Sequence, residues 1–461
     1  MSSGEDTSSS TTSRFQQEAA PIQFAKTDRN EQATPVISTG PVSEGPTSIA
    51  GSATPTPPLL TPTTSQPPIS GQAAPFRKRK RAWFIALMLL LLIVLVSSSL
   101  GAFFLLTRHG SAPVVSAGNT VGQAFFINSG QASADGSQGI NDELEINLHD
   151  IPALAPGTSY YAWLMQDLNQ PAEVPLLLGK LQVKNGTVNF LYPGNPAHTN
   201  LLASTSRVLI TVGDTNTVPI NPLPDTSNWR YFAALPQKPD PNDTIHHFSM
   251  LDHLRYLLAD DPMLSSIGQH GGLNTWLLKN TGKILEWATS ARDDWDSGAA
   301  ALMRDHFIRI LDYLDGQADV QIDVPTGTRL QVVAPIALIG TDTSLPSDYL
   351  HQISEHLSGI AQAPGETSDK RQLLIDINTA MNQVRTSLEH VRVDAKQLLG
   401  MSNAQLLAQS TLLLLDDMET QAFYAYNGQV DPSTGQLQAG VVQISYDIER
   451  LATLTIMPYT S

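Results

Sequence analysis

Five consecutive basic residues, Arg77 to Arg81, run directly into Ala82 to Leu106, a stretch without charge made mostly of Leu, Ile, Val, Phe and Ala. At 1.5 Å per helical residue, about 25 residues reach roughly 37 Å, beyond a hydrocarbon core of about 30 Å. The sequence therefore predicts a basic membrane flank at 77–81 and a transmembrane helix at 82–106. The positive-inside bias puts 1–76 in the cytoplasm and the C-terminal domains outside the cell membrane. A secretory signal shares this order of charges but has a shorter apolar run at the extreme N-terminus. The first expected partner is thus the lipid bilayer.

Residues 1–76 are dominated by Ser, Thr, Pro, Gly and Gln. With few apolar side chains to offset ordering entropy, they read as a disordered cytoplasmic tail. The net charge of -16 argues against nucleic acid as a partner, because phosphate binding needs a basic face. The absence of cysteine excludes disulfides, thiolate nucleophiles and thiolate metal sites.

A small-residue linker at 107–121 leads into period-two patterning. Leu144, Ile146 and Leu148 alternate with polar residues, Tyr160 to Met165 and Arg207 to Val212 are further short strands, and Asn185-Gly186 separates Leu181 and Val183 from Val188 and Phe190. Asn-Gly accepts the positive φ angles of a type I′ turn, so this last segment predicts a hairpin. Together these segments predict a small antiparallel β-sandwich over 122–235.

The run Glu143 to Leu148, the loop Ile151-Pro152-Ala153-Leu154-Ala155-Pro156-Gly157, the strand Tyr160-Tyr161-Ala162-Trp163-Leu164 and Pro175 to Gly179 resemble the extracytoplasmic domain of anti-sigma-K factors. That resemblance implies a β domain following a single spanning helix, with a regulatory role. The tail lacks the cysteines and helical periodicity of a zinc-binding or sigma-binding module, so a sigma factor is not the expected partner, and an unknown protein takes that place.

A proline hinge at 236–243 precedes a region of helical periodicity, 244–461, read as a C-terminal α-helical bundle. Thr244 is the expected first N-cap. Helices are expected at 245–260, 273–290, 298–315, 346–361, 368–399, 403–426 and 440–454, with a β-hairpin at 320–338 and the apolar 404–415 at the bundle centre. The expected fold class is thus a multidomain membrane protein: disordered tail, one transmembrane helix, small antiparallel β-sandwich and helical bundle.

Functional signals are sparse. On a helix opening at 245, His246, Met250 and His253 share one face, and His306 on a later helix could join them. Imidazole and thioether together suit copper or haem iron, which makes these four the candidate metal ligands. Gln269-His270-Gly271-Gly272 looks like an oxyanion loop, but no Gly-x-Ser-x-Gly elbow accompanies it, so the glycines read as a break before a helix. The acidic groups at Asp260-Asp261, at Asp293, Asp294 and Asp296, and at Asp416-Asp417 lack calcium-loop spacing and read mostly as helix ends in an acidic surface. Trp163, Trp276, Trp287 and Trp295 read as core or boundary packing; the alternative for Trp276 and Trp287, eleven positions apart on one helix face, is a ligand groove. No nucleophile, base and orienting group occur together at recognisable spacing. The expected function is a non-enzymatic regulatory, sensing or interaction module of the envelope, without a required cofactor. The alternative is an envelope protein binding metal or haem through the bundle histidines.

Overall fold

The computed structural model describes residues 120–460, apart from 169, 171–173, 223–224, 331–333, 341–346 and 432. The chain first forms seven strands: β1 (Gly122–Ile127), β2 (Glu143–Leu148), β3 (Thr158–Met165), β4 (Leu176–Leu181), β5 (Val188–Tyr192), β6 (Arg207–Asp214) and β7 (Trp229–Ala234). Alternation works as expected in β2, where Leu144, Ile146 and Leu148 are buried. In β3 both faces are covered. Tyr160, Ala162 and Leu164 join the main core, while Tyr161, Trp163 and Met165 form a second cluster with Leu209.

Nine helices follow among the described residues: α1 (Met250–Leu258), α2 (Pro262–Ser266), α3 (Leu273–Ser297), α4 (Ala300–Asp323), α5 (Tyr349–Gln362), α6 (Ser368–Leu399), α7 (Asn403–Leu406), α8 (Leu412–Asn427) and α9 (Val441–Leu451). A two-stranded hairpin, β8 (Gly428–Val430) and β9 (Leu437–Ala439), stands between α8 and α9. The chain then returns to strand conformation in β10 (Leu454–Pro458).

β10 changes the architecture. The eight-stranded antiparallel sheet has the order β4-β3-β6-β7-β10-β1-β2-β5, so the last strand lies in its middle. Leu454 to Ile456 pair with β1, and Met457 and Pro458 pair with β7. The helices are thus an insertion between β7 and β10, not a domain appended to a finished sandwich. One continuous core runs from Ala124 and Leu144 in the sheet through Met250, Phe307 and Leu388 to Ile456.

The sheet nearly closes on itself. At β4, a Cβ on Gly179 would stand 3.1 Å from the ring of Phe190 on β5, so glycine permits the two outer strands to approach. Among the described residues no ladder joins them. The expected Asn-Gly turn is present, with Asn185 at φ 53° and Gly186 at φ 77°, closed by the Lys184–Thr187 bridge. The expected hairpin pairing is not: beyond that bridge the chain splays, β4 pairing with β3 and β5 with β2.

These observations correct the expected fold class. The separate sandwich at 122–235 and bundle at 244–461 are replaced by one nearly closed sheet with a helical insertion. Among the described residues no helix is long and apolar enough to cross a membrane. The expectation of a single-pass membrane protein is corrected to that extent; the tail 1–76, flank 77–81 and span 82–106 lie outside the described residues, as does the linker up to residue 119.

Several local expectations also change. The first long helix starts at Ser249, whose side chain forms a capping box with Asp252, and not at Thr244. The 320–338 hairpin is replaced by the end of α4 and an irregular segment. Gly316, at φ 68° and ψ 172°, kinks α4, and the carbonyls it frees at Tyr313 and Leu314 accept from the N–H groups of Leu338 and Ile339. Residues 404–415 are broken between α7, a 3-10 turn and α8, and Leu413 is 78% exposed, so they do not form the bundle centre. That position belongs to α3, which packs on α4, α8, α9, α5 and α1.

Candidate functional site

The four residues read from the sequence as metal ligands do not converge. His246 precedes α1, so helical spacing never applied to it; its ring stacks on Phe248 at 5.0 Å and its Nδ1 stands 3.7 Å from Asp243. Met250 is fully buried in the core. His306 lies between α4 and α3, with Nε2 3.1 Å from Asp294 and its ring stacked on Trp287. Among the described residues no three or more His, Cys, Asp or Glu side chains gather as they would around a metal ion.

Only His253 meets a second imidazole, and that partner is His356 on α5. The two Nδ1 atoms are 3.0 Å apart, so one ring donates and the other accepts. Gly359 makes room for this contact: a Cβ there would fall 2.2 Å from His253 Nε2. Phe248 meets His253 edge-on at 5.4 Å, and Tyr256 lies 5.0 Å from His356. Burial lowers both imidazole pKa values, that of His356 to about 4, with the neighbouring His253 adding to the effect. On His253 the carboxylates of Asp252, Asp243 and Asp240 oppose the shift. The pair therefore joins α1 to α5 in its neutral form. His356 carries no sequence signal of its own, because only the packing of α1 on α5 reveals it.

The other motifs have structural roles. Gly271 adopts φ 84°, and a Cβ on Gly272 would fall 2.2 Å from Leu257 O, so the glycines let α3 start against α1. Asp261 caps α2 by accepting from the N–H groups of Met263 and Leu264. Trp276 Nε1 donates to His270 O, and Lys279 lies over its ring. Trp287 is met by Arg309, Lys283 and His306. The two rings serve as packing surfaces for charged side chains instead of an open groove.

A pocket of about 210 Å³ opens where α6, α8 and the β8–β9 hairpin meet. Gln383, Thr386, Ser387 and His390 line it from α6, Gln421 and Tyr424 from α8, and Gln429 and Gln438 from the hairpin, with Val384 and Ala439 as its aliphatic contacts. Two glycines build the hairpin wall. A Cβ on Gly428, at φ 85°, would fall 2.4 Å from Gln438 O, and one on Gly440 would fall 2.3 Å from Gly428 N. Gln429 Nε2 donates to Gln438 Oε1 at 2.6 Å, which fixes two amides across the hairpin. Behind His390, Asp394 is buried; burial, then the facing Asp417, raise its pKa to about 6. Ser387, His390 and Asp394 follow one face of α6 at i, i+3 and i+7. This grouping of glutamines was not visible in the sequence, because the residues come from segments separated by up to 55 positions and share no motif.

No family model, curated protein or solved structure matches this chain.

Proposed function

We propose that this protein is a non-enzymatic ligand-binding module of regulatory or sensing type, and that its binding site is the pocket between α6, α8 and the β8–β9 hairpin. The observation that carries this reading is the concentration of four primary amides around one concavity, two of them held by their mutual hydrogen bond. Each primary amide offers two donors and an acceptor, so a small polar ligand can be oriented without any covalent chemistry. The resemblance of 143–190 to anti-sigma-K domains supports the regulatory side of the reading.

The test is a screen of the full chain against small polar compounds by saturation-transfer NMR, repeated with Gln429→Ala and Gln383→Ala. The reading expects at least one compound to bind saturably to the parent and about tenfold more weakly to either variant, as loss of a good hydrogen bond implies. Failure of every compound to bind would contradict it.

A further inference from the structure

Resting on that reading, we infer that the ligand is a neutral saccharide, taken one pyranose ring at a time. The lining contains no Lys or Arg and only the His390 imidazole as a basic group, so a phosphate or carboxylate would find no fixed cation to offset the water it leaves. It contains no Asp or Glu, which disfavours a free ammonium ion. The aliphatic contribution is limited to Val384 and Ala439, too little for an acyl chain. What remains is a neutral molecule rich in groups that both donate and accept.

Vicinal hydroxyls fit this lining. Each sugar hydroxyl donates once and accepts up to twice, which is the complement of a glutamine amide, and here Gln383, Gln421, Gln429 and Gln438 surround the space with the Ser387 hydroxyl. Tyr424 adds a ring, and an aromatic face receives the C–H face of a pyranose as it receives other apolar surface. The amides are also partly preorganised: Gln429 and Gln438 are bonded to each other, and Gln421 Nε2 stands 3.5 Å from Asp417 Oδ1. Preorganisation limits the entropy lost when hydroxyls displace pocket water. The volume of about 210 Å³ accommodates a single ring, with any further sugar units projecting from the open side.

The experiment uses the full chain with glucose, galactose, N-acetylglucosamine, sorbitol, glucose 6-phosphate, glutamine and glycylglycine, read by saturation-transfer NMR and titration calorimetry. The expected result is saturable transfer to the ring protons of at least one neutral pyranose, with weaker response from sorbitol and the phosphorylated sugar. Tyr424→Ala and Gln429→Ala should each weaken that binding about tenfold, and Tyr424→Phe should keep it within about threefold. Binding of glutamine or glycylglycine without any pyranose overturns the saccharide assignment and leaves the ligand-binding module standing. No binding from any compound overturns both. Pyranose binding that is indifferent to Tyr424→Ala and Gln429→Ala moves the sugar to another place and overturns the assignment to this pocket.

Discussion

The His253–His356 contact shows how a polar pair can hold two helices and still expose them to acid. Both rings have lowered pKa values, chiefly because burial disfavours the cation. In the unfolded chain each imidazole titrates near its usual 6.5, whereas folded His356 resists protonation to about 4. Below pH 6.5 the unfolded state therefore binds more protons, so this pair contributes stability that is complete above that pH and declines as the pH falls towards 4. At about 1.4 kcal/mol per pH unit, the decline attributable to His356 reaches roughly 2 kcal/mol by pH 5. Replacing it, as in His356→Gln, should cost stability at pH 7.5 and lose less on acidification. Denaturant midpoints of parent and variant at pH 7.5 and pH 5 check this, and parallel changes in the two proteins would remove the pair from the pH response. The site at this scale was half legible: His253 stood out on the face of a predicted helix, but His356 and Gly359 acquire meaning only when α5 packs on α1.

At the level of elements, local signals and long-range pairing had different visibility. The bounds of α6 are readable because Thr367 accepts from the N–H of Lys370 at one end and Gly400 closes the other. Asn185-Gly186 correctly announces a turn, since positive φ is a local property, but pairing depends on which strands reach the flanking residues, and β3 and β2 take them. β10 was missed for the opposite reason. Leu454 and Ile456 follow directly on the helical pattern of α9, and the strand's partner β1 lies more than 300 positions earlier in the chain. Both side chains are fully buried, which contributes roughly 1.5–3 kcal/mol each before any ladder hydrogen bond is counted. The kink in α4 is a second element-level dependence. Gly316→Ala would force a side chain into φ 68° and bring its Cβ to 2.6 Å from Ala337 N. The expected cost is roughly 3 kcal/mol or more, seen as a lower denaturant midpoint with an unchanged slope; a change under about 0.5 kcal/mol would contradict the close approach of 334–339 to the kink.

Across the whole molecule, composition and periodicity conveyed the order of materials, strands first and helices after, but not their interdependence. A proline-rich junction at 236–243 looks like a boundary between domains, yet the chain crosses back over it to complete the sheet. The core shows the result: residues of the sheet interior and of α1, α3, α4, α5 and α6 belong to one contiguous cluster. On the proposed reading, a ligand held between α6, α8 and the hairpin would bear on the stability of the sheet, because α8 leads through the hairpin and α9 into β10. Such continuity is what a sensing module needs if binding in the helices is to be felt by the strands.

Differential scanning calorimetry of the full chain, alongside a form ending at Leu451, tests this unity most directly. The account predicts a single cooperative transition for residues of the sheet and helices, with calorimetric and van't Hoff enthalpies in agreement, and its loss when β10 is removed. Two resolved transitions, one of which survives the truncation unchanged, would show a sandwich and a bundle that fold independently and would contradict the account.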